Sequence, residues 1–148
     1  MLRQAVVLGI DVGGTRTKIG LVTKQGEVLL SASFDTESKN PYSNFENRLK
    51  NEVQKMQAEA YKYADVIAIG IGAPNANFHT GNMEYPPNFN WGETVPLVAS
   101  VKTIFDLPVT IANDANAAAL GELEFGVGKQ MKNFVLLTLG TGLGSGII

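Results

Sequence analysis

Short apolar runs separated by helical patterns determine the fold class of this chain. Six runs of strand length occur, at residues 5–11, 18–22, 27–34, 66–72, 109–112 and 134–140. Several are apolar nearly throughout, which is typical of strands in a sheet covered on both faces. The connection between the second and third runs is short and contains Gly26, which predicts a hairpin.

Three helices are predicted between these strands. An apolar stripe from Phe45 to Tyr63 recurs every three or four residues and predicts a helix near 43–63. Thr94 is a candidate cap for a second helix over residues 94–105. A third, alanine-rich helix is predicted over 114–125, ended by Gly126 or Gly128. The order of strands and helices indicates an α/β domain with a mixed five-stranded sheet.

Composition limits the classes of partner. The chain has 148 residues, is 45% hydrophobic and carries a net charge of −2 with acidic and basic residues interspersed. It therefore has no basic patch for nucleic acid or for an anionic membrane, and no apolar run approaches the roughly 20 residues of a membrane span. The absence of cysteine excludes disulfides and thiolate metal sites within these residues and fits the cytoplasm. A small ligand is expected.

The stretch "DVGGTRTK" has the composition of a phosphate-binding turn. Gly13 and Gly14 can take φ > 0 and bring backbone N–H groups close to a ligand, and Thr15 adds a hydroxyl. Asp11, at the end of a strand, is a candidate Mg²⁺ ligand, and Lys18 is a candidate phosphate contact. The alternative is a type I′ hairpin turn in which Asp11 accepts hydrogen bonds within the turn.

A second glycine turn follows in "LTLGTGLGSG", at residues 137–146. Gly140, Thr141 and Gly142 come directly after an apolar strand, as in the first turn, and two such turns can hold one phosphate chain from opposite sides. The competing interpretation is a dinucleotide-binding fingerprint. Its glycines should open a helix and be followed by a distant acidic residue, whereas here strand-like residues follow.

The stretch "PVTIANDANAAALGE" places Asn113 and Asp114 where a strand ends and a helix begins. Open α/β sheets bind ligands at this edge. Asn113 can both donate and accept hydrogen bonds, which suits a polyol, and Asp114 can take a proton from a hydroxyl that attacks phosphorus. Helix capping, for which Asn and Asp are preferred, is the alternative.

Together the segments "GIDVGGTRTKIGLV", "IGIGAPNANFHTGNMEYPPNFNW", "LPVTIANDANAAALGE" and "LTLGTGLGSGII" resemble the ROK family of sugar kinases and repressors. The resemblance implies a ribonuclease-H-like (actin-like ATPase) fold and transfer of phosphate from ATP, with Mg²⁺, to a hexose 6-hydroxyl. It implies that Asp114 is the general base and Asn113 a sugar ligand. It adds Asn88 as a sugar contact. Asn75 stands where the family often has glycine, and either contacts sugar or forms a turn.

The resemblance also implies domain boundaries and partners. Residues 1–132 match the N-terminal ATPase and sugar-binding lobe, and 133–148 match the truncated beginning of a C-terminal lobe, so the chain alone is expected to be inactive. In the family, a further sugar-binding motif lies in the C-terminal lobe. That motif would lie beyond Ile148, together with most of the adenine pocket and any structural zinc. The expected substrate is a hexose or N-acetylhexosamine, and the full-length protein is expected to be a cytoplasmic homodimer.

Two other functions are compatible with parts of the sequence. A sugar-sensing ROK regulator would need a DNA-binding segment ahead of the first strand, where only Met1 to Gln4 stand. An actin-like ATPase would use the phosphate turns without a sugar, and the Asn113 and Asp114 pair argues against it.

Overall fold

A mixed five-stranded sheet is the frame of the molecule. The computed structural model describes residues 3–140 and 142–148. The strands are β1 (Gln4–Val12), β2 (Arg16–Thr23), β3 (Val28–Asp35), β4 (Ala64–Ala73), β5 (Ala76–Asn77), β6 (Asn82–Glu84), β7 (Thr94–Val95), β8 (Val109–Asn113), β9 (Val135–Leu139) and β10 (Leu143–Ile147). The helices are α1 (Tyr42–Ala60), α2 (Leu97–Ile104), α3 (Asp114–Phe125) and a 3₁₀ turn (Val127–Gln130).

The sheet has the strand order β3-β2-β1-β4-β8. β1 is antiparallel to β2 and parallel to β4, and β4 is parallel to β8. The predicted α/β class and five-stranded mixed sheet are confirmed. The carboxyl ends of the three parallel strands meet at one edge, which we call the carboxyl edge (residues 12–15, 73–75 and 113–114), and connections at such an edge are the usual ligand sites of α/β sheets.

One face of the sheet is buried beneath α1 and α2. Alternate residues of the central strands, such as Leu8, Ile19 and Ile69, point into this layer and are buried. They meet the buried stripe of α1, which includes Phe45 and Leu49. The predicted stripe ends at Ala60, because Tyr63 lies beyond the helix and is exposed.

The other face of the sheet is covered only where α3 crosses it. At one end of α3, a Cβ built on Gly72 would lie 3.5 Å from Ala117 Cβ, so the helix rests directly on β4. At its other end, the Phe125 ring fills the space beside Gly26, which has φ +85° in the β2–β3 turn. Ile67, elsewhere on β4, is 54% exposed. The expectation of a sheet covered on both faces therefore holds only beneath α3.

The segment between β4 and α2 contains structure that the sequence did not reveal. β5, β6 and β7 form a small antiparallel sheet beside the main one. Thr94 lies in β7, so the predicted cap of α2 is wrong; Pro96 precedes the helix and makes no side-chain capping bond. Within the described ranges, no helix is long and apolar enough to cross a membrane.

β9 and β10 form a separate hairpin that packs on α3. A Cβ on Gly146 would clash with the Ala115 carbonyl and the Ala119 side chain, so this close approach requires glycine. The outward face of the hairpin is apolar and exposed, including Leu139 at 86% and Ile147 at 75%. The strand pair predicted at the end of the chain is therefore present.

The α1 stripe gives a direct test of the core. Replacing Leu49 by Ala should lower the free energy of unfolding by about 2–5 kcal/mol, because Leu49 is 1% exposed and its removal leaves a cavity between α1 and the sheet. Urea denaturation followed by circular dichroism measures this. Lys50→Ala, at the exposed neighbouring position, is the control and should change stability by less than about 0.5 kcal/mol.

Candidate active site

The first glycine turn closes tightly between β1 and β2. The Gly13 N–H donates to the Arg16 carbonyl at 3.1 Å. A Cβ on Gly13 would lie 2.7 Å from the same carbonyl oxygen, so no side chain fits there. Neither Gly13 nor Gly14 has positive φ. The expected left-handed backbone is therefore wrong, and so is the type I′ alternative, which needs φ > 0 at both central residues.

A buried threonine that the sequence analysis missed holds this turn. Thr36 Oγ1 donates to the Gly13 carbonyl at 2.6 Å, and the Thr36 N–H donates to the Thr15 carbonyl at 2.9 Å. Since the one hydroxyl proton of Thr36 is used, Thr17 Oγ1, 2.8 Å away, is the donor in their mutual bond. In a trans peptide the N–H points opposite to the C=O. The Gly14 N–H therefore points away from Thr36 and toward solvent, so a ligand oxygen can reach it.

Two carboxylates meet on the α3 side of the carboxyl edge. Asp11 lies opposite Lys18 in the β1–β2 ladder and beside Gly72 in the β1–β4 ladder. A Cβ on Gly72 would lie 3.7 Å from Asp114 Cα, so the start of α3 stands directly over this position. Partial burial raises the pKa of Asp11 above 3.8, Lys18 lowers it, and the Asp114 carboxylate raises it. Lys18 therefore shares a face with Asp11, as cross-strand partners do.

The start of α3 combines capping with exposed polar groups. Asn113 Oδ1 and Asp114 Oδ1 both accept from the Ala115 N–H, at 3.1 and 2.8 Å. The capping alternative is thus correct for the side-chain oxygen of Asn113 and for one carboxylate oxygen of Asp114. Among the described residues, the Asn113 amide NH₂ and the second Asp114 oxygen make no hydrogen bond, and these groups remain available to a ligand.

An open cavity of about 570 Å³ lies beside this helix start. Residues 75–78 and 84–85 of the small sheet form one wall, and residues 112–113 with Asn116 form the other. Asn113 and Asn116 line the cavity, and Asp114 follows Asn113 directly in the chain without lining it. The lining includes one charged side chain, Glu84, and four asparagines. An uncharged ligand rich in hydroxyl groups matches this wall, whereas an anionic one would meet a carboxylate.

Left-handed backbone is concentrated next to the cavity. Asn75, Tyr85 and Asn88 have φ of 49°, 48° and 68°. Asn75 Nδ2 donates to the Tyr85 carbonyl at 3.1 Å, and Asn75 O accepts from the Glu84 N–H at 3.0 Å. Asn75 thus forms the turn and also lines the cavity. Asn88 is exposed on the following loop and does not line it.

An aromatic cluster connects the Asn88 loop to the first glycine turn. The Trp91 ring packs on Phe45 and Phe89 with centroid distances of 4.8 and 4.6 Å, and its Nε1–H donates to the Asn40 carbonyl at 3.1 Å. Phe89 reaches to 3.9 Å from where a Gly14 Cβ would be. The sequence analysis did not identify Phe89.

The second glycine turn joins β9 to β10. Gly140 N–H donates to the Gly142 carbonyl at 3.0 Å, and Thr141 lies outside the described residues. β10 runs along α3 with Gly144 beside Ala115, which places the preceding Gly142 toward the helix end that carries Asp114. These glycines are followed by strand β10 rather than by a helix, so the dinucleotide-binding alternative is wrong.

A magnesium ion fits this arrangement only in combination with phosphate. Within residues 3–140 and 142–148, no group of three or more acidic, histidine or cysteine side chains converges on one point. Mg²⁺ commonly takes one or two carboxylates with water and phosphate oxygens. Asp11 is a candidate for such a carboxylate, because it lies beside Gly72 in the β1–β4 ladder and therefore close to the start of α3.

Known proteins resemble this chain over nearly all of its length. The model of the ROK family matches residues 7–148. A glucokinase of Streptomyces coelicolor is 35% identical over 97% of this chain and 43% of its own length. The structure of a ROK family glucokinase from Streptomyces griseus in complex with glucose and AMPPNP superposes with a TM-score of 0.81 at 35% identity, covering 97% of this chain and 44% of that one.

Regulators resemble it almost as closely. A xylose repressor of Caldicellulosiruptor bescii is 33% identical over 96% of this chain and 36% of its own length. The chain spans less than half the length of each of these relatives.

Thr36 can be tested through stability. Thr36→Val should lower the free energy of unfolding by about 1–3 kcal/mol, because it leaves the Gly13 carbonyl and the Thr17 hydroxyl without a buried partner. Thr36→Ser keeps the hydroxyl and should recover most of that loss. Chemical denaturation measures both, and equal losses in the two variants would show that the methyl group, not the hydroxyl, stabilises the turn.

Asp11 gives a pH-dependent test. Because the pKa of Asp11 is raised in the folded state, its charged form costs stability at neutral pH, whereas below about pH 3.8 the carboxyl is neutral in both states. Asp11→Asn, without Mg²⁺, should therefore be more stable than the parent at about pH 7. The difference should shrink as the pH falls through the folded-state pKa and vanish below about pH 3.8. Urea unfolding at several pH values measures it, and a constant difference would contradict the shift.

Proposed function

The chain belongs to the ROK family, and on that basis we propose that it is the N-terminal part of an ATP-dependent, glucokinase-like hexose kinase. The observation that carries the proposal is the position of Asp114. It directly follows Asn113, which lines the asparagine-rich cavity, and it lies on the same side of the sheet as Asp11. This arrangement supports a proposal in which the acceptor hydroxyl, the base and the phosphates meet at the carboxyl edge.

The proposed reaction transfers the γ-phosphoryl group of ATP to a sugar 6-hydroxyl. The hydroxyl oxygen forms a bond to the γ-phosphorus, the bond from that phosphorus to the β–γ bridging oxygen breaks, and ADP leaves. Asp114 accepts the hydroxyl proton through the oxygen that does not cap α3. Because phosphoryl transfer depends mainly on alignment and charge stabilisation, one positioned carboxylate is a sufficient base.

Asparagine side chains hold the acceptor in this proposal. Asn113 donates from its amide NH₂ while its oxygen stays on the helix cap, and Asn75 contributes from the opposite wall. Asn88 belongs to the adjoining loop, and its contact with the sugar would come from closure of that loop. The substrate is a neutral hexose or N-acetylhexosamine, which agrees with the lining described above.

Backbone donors and cations hold the phosphates. The turn at Gly13, Gly14 and Thr15 presents the Gly14 N–H, since the Gly13 N–H is used within the turn. Lys18 adds positive charge, and the second turn (Gly140, Thr141 and Gly142) closes on the other side of the phosphate chain. Asp11 would hold Mg²⁺, which would neutralise charge on the phosphates. The AMPPNP in the S. griseus glucokinase structure supports ATP as the donor.

The complete enzyme requires more than these residues. We propose that residues 1–132 form the N-terminal lobe and that residues 133–148 begin a second lobe, whose further strands cover the apolar face of the β9–β10 hairpin. The adenine pocket would lie there, and we expect no efficient kinase activity without it. We propose that the full-length protein is a homodimer. We also propose that it is located in the cytoplasm, because ATP-dependent sugar metabolism takes place there.

A sugar-sensing regulator is the alternative. It is supported by the xylose repressor, which is 33% identical to this chain. A regulator would bind sugar in the same cavity but would not need Asp114 as a base or a phosphate chain between the glycine turns. Release of ADP in the presence of sugar therefore separates the two functions.

The proposed base gives the decisive experiment. In the full-length protein, Asp114→Asn should lower kcat by about 100-fold or more, within the range for general bases. Sugar binding should persist, because the amide oxygen can still cap α3. A coupled ADP-release assay against a panel of hexoses measures turnover, and calorimetry measures binding.

Asp106→Asn is the matched control, since Asp106 is exposed between α2 and β8, away from the carboxyl edge. It should leave kcat within about twofold of the parent. Turnover of the Asp114→Asn protein close to that of the control would refute the role of Asp114. Sugar binding without ADP release by the parent protein would favour the regulator.

A further inference from the structure

The β3–α1 connector (residues 36–41) contacts both parts of the candidate site. We infer that Glu37 and Arg48 are positioning residues, which fix the shape of this connector and thereby couple sugar binding at the Asn88 loop (residues 85–93) to phosphate binding at the first glycine turn (residues 13–15). This inference rests on the proposed function and specifies how the acceptor and the phosphate donor change each other's affinity for that same site.

One end of the connector is bonded to the first glycine turn. The Thr36 N–H donates to the Thr15 carbonyl at 2.9 Å, and the Thr36 hydroxyl donates to the Gly13 carbonyl at 2.6 Å. The Gly13 carbonyl belongs to the same planar peptide unit as the Gly14 N–H, which is the donor proposed for phosphate. A shift of Thr36 therefore changes the direction of that N–H.

The other end of the connector is bonded to the Asn88 loop. The Ser38 carbonyl accepts from the Asn90 N–H at 2.8 Å, and the Asn40 carbonyl accepts from the Trp91 Nε1–H at 3.1 Å. Asn90 and Trp91 follow Asn88 by two and three residues in the chain. A movement of the Asn88 loop onto a sugar is therefore transmitted to the connector.

Glu37 lies between these two ends in a strained conformation. Its φ is 52°, a left-handed backbone that Gly or Asn adopts at less cost. The Asn40 N–H donates to the Glu37 carbonyl at 2.8 Å, which closes the turn of the connector. Non-glycine residues in this conformation cluster at ligand clamps and switch regions. The presence of a glutamate here is explained if its carboxylate has a role that Gly or Asn cannot fill.

The Glu37 carboxylate attaches the connector to α1. One of its oxygens forms an ion pair with the Arg48 guanidinium, and the other accepts from Asn40 Nδ2 at 2.7 Å. Arg48 Nη1 also donates to the Asp35 carbonyl at 2.9 Å. The hydrogen bonds from Arg48 and Asn40 lower the pKa of Glu37, so the carboxylate is charged at neutral pH. Arg48 is adjacent to Leu49 in the buried stripe of α1, so the connector is held by a helix that is fixed on the sheet.

A connector of fixed shape couples the two ligands in both directions. When a sugar orders the Asn88 loop, the connector holds the Gly14 N–H in one direction, and the second ligand then loses less conformational entropy on binding. By linkage, each ligand tightens the binding of the other by the same factor. Because partly exposed ion pairs contribute little to stability, loss of the Glu37–Arg48 pair should change this factor more than it changes folding.

The test measures binding to the full-length protein by calorimetry, with glucose and AMPPNP as the two ligands. The measured quantity is the coupling factor, which is the Kd for glucose without AMPPNP divided by the Kd for glucose with it. We expect a factor of about 10 or more in the parent. Glu37→Asn suits the left-handed backbone but shortens the side chain, and should lower the factor at least about 3-fold. Arg48→Met keeps the apolar stem but removes the guanidinium, and should lower it similarly.

Asp65→Asn is the matched control. It breaks a comparable ion pair, in which Arg3 Nη2 lies 2.8 Å from Asp65 Oδ1, at the end of β4 opposite to the carboxyl edge. It should leave the coupling factor unchanged. A merely structural role of Glu37 predicts another result, because glucose binding would then weaken in the same proportion with and without AMPPNP and the factor would stay at the parent value.

Failure of the coupling and failure of the proposed function give different results. If the parent factor is 1, or if either variant keeps the parent factor, the positioning role is refuted, and the ADP-release assay still decides whether the protein is a kinase. If glucose and AMPPNP tighten each other's binding and both variants reduce this effect, but no hexose releases ADP, the coupling stands and the kinase does not.

Discussion

The close packing of α3 on β4 is the constraint on which the candidate site depends. Gly72 lies beside Asp11 in the sheet, and a Cβ there would lie at van der Waals distance from Asp114 Cα, 3.7 Å away, and from Ala117 Cβ, 3.5 Å away. A methyl group would therefore fit between β4 and α3, whereas a larger side chain would press against the first turn of the helix. The small residues of α3 serve the same contact, since Ala117 faces Gly72 on one side and Ala115 faces Gly144 on the other. Close packing of small residues, rather than any direct bond between the acidic groups, therefore sets the spacing of the charged site.

The polar residues at the carboxyl edge stabilise the fold and also leave hydrogen-bonding groups free for a ligand. One oxygen of Asn113 and one of Asp114 satisfy the same backbone N–H at the start of α3, and the capping bonds fix the direction of the atoms that remain. Thr36 acts in a comparable way at the first glycine turn. Its buried hydroxyl donates to the Gly13 carbonyl and accepts from the Thr17 hydroxyl, and these two hydrogen bonds hold the turn in place. Rotational freedom that a ligand would otherwise have to remove is thus already lost in the folded chain, which favours binding.

Much of the fold was predictable because it depends on local patterns, and the failures have identifiable physical causes. The period of the apolar residues located the five strands and the helices, and the Asn113–Asp114 pair located the start of α3. Thr94 was misassigned because a threonine before an apolar helix also suits a β-strand, and pairing of β7 with β6 decided between them. The predicted left-handed conformation of Gly13 was wrong. Glycine is required there because a side chain would clash with the Arg16 carbonyl, not because φ is positive. Thr36 could not be found, since a lone threonine carries no pattern and its partners lie 19 and 23 residues away in the chain.

The strand order has a consequence for biosynthesis. Asp11 and Asp114 are neighbours in space but about a hundred residues apart along the chain. At roughly 5–20 residues per second, the ribosome delivers the second carboxylate some 5 to 20 seconds after the first. The early antiparallel strands can pair locally during this interval, whereas β4 and then β8 must add in parallel at the free side of β1. The nascent protein therefore passes through a stage in which the β1 edge of the sheet is exposed and the two carboxylates have not yet come together.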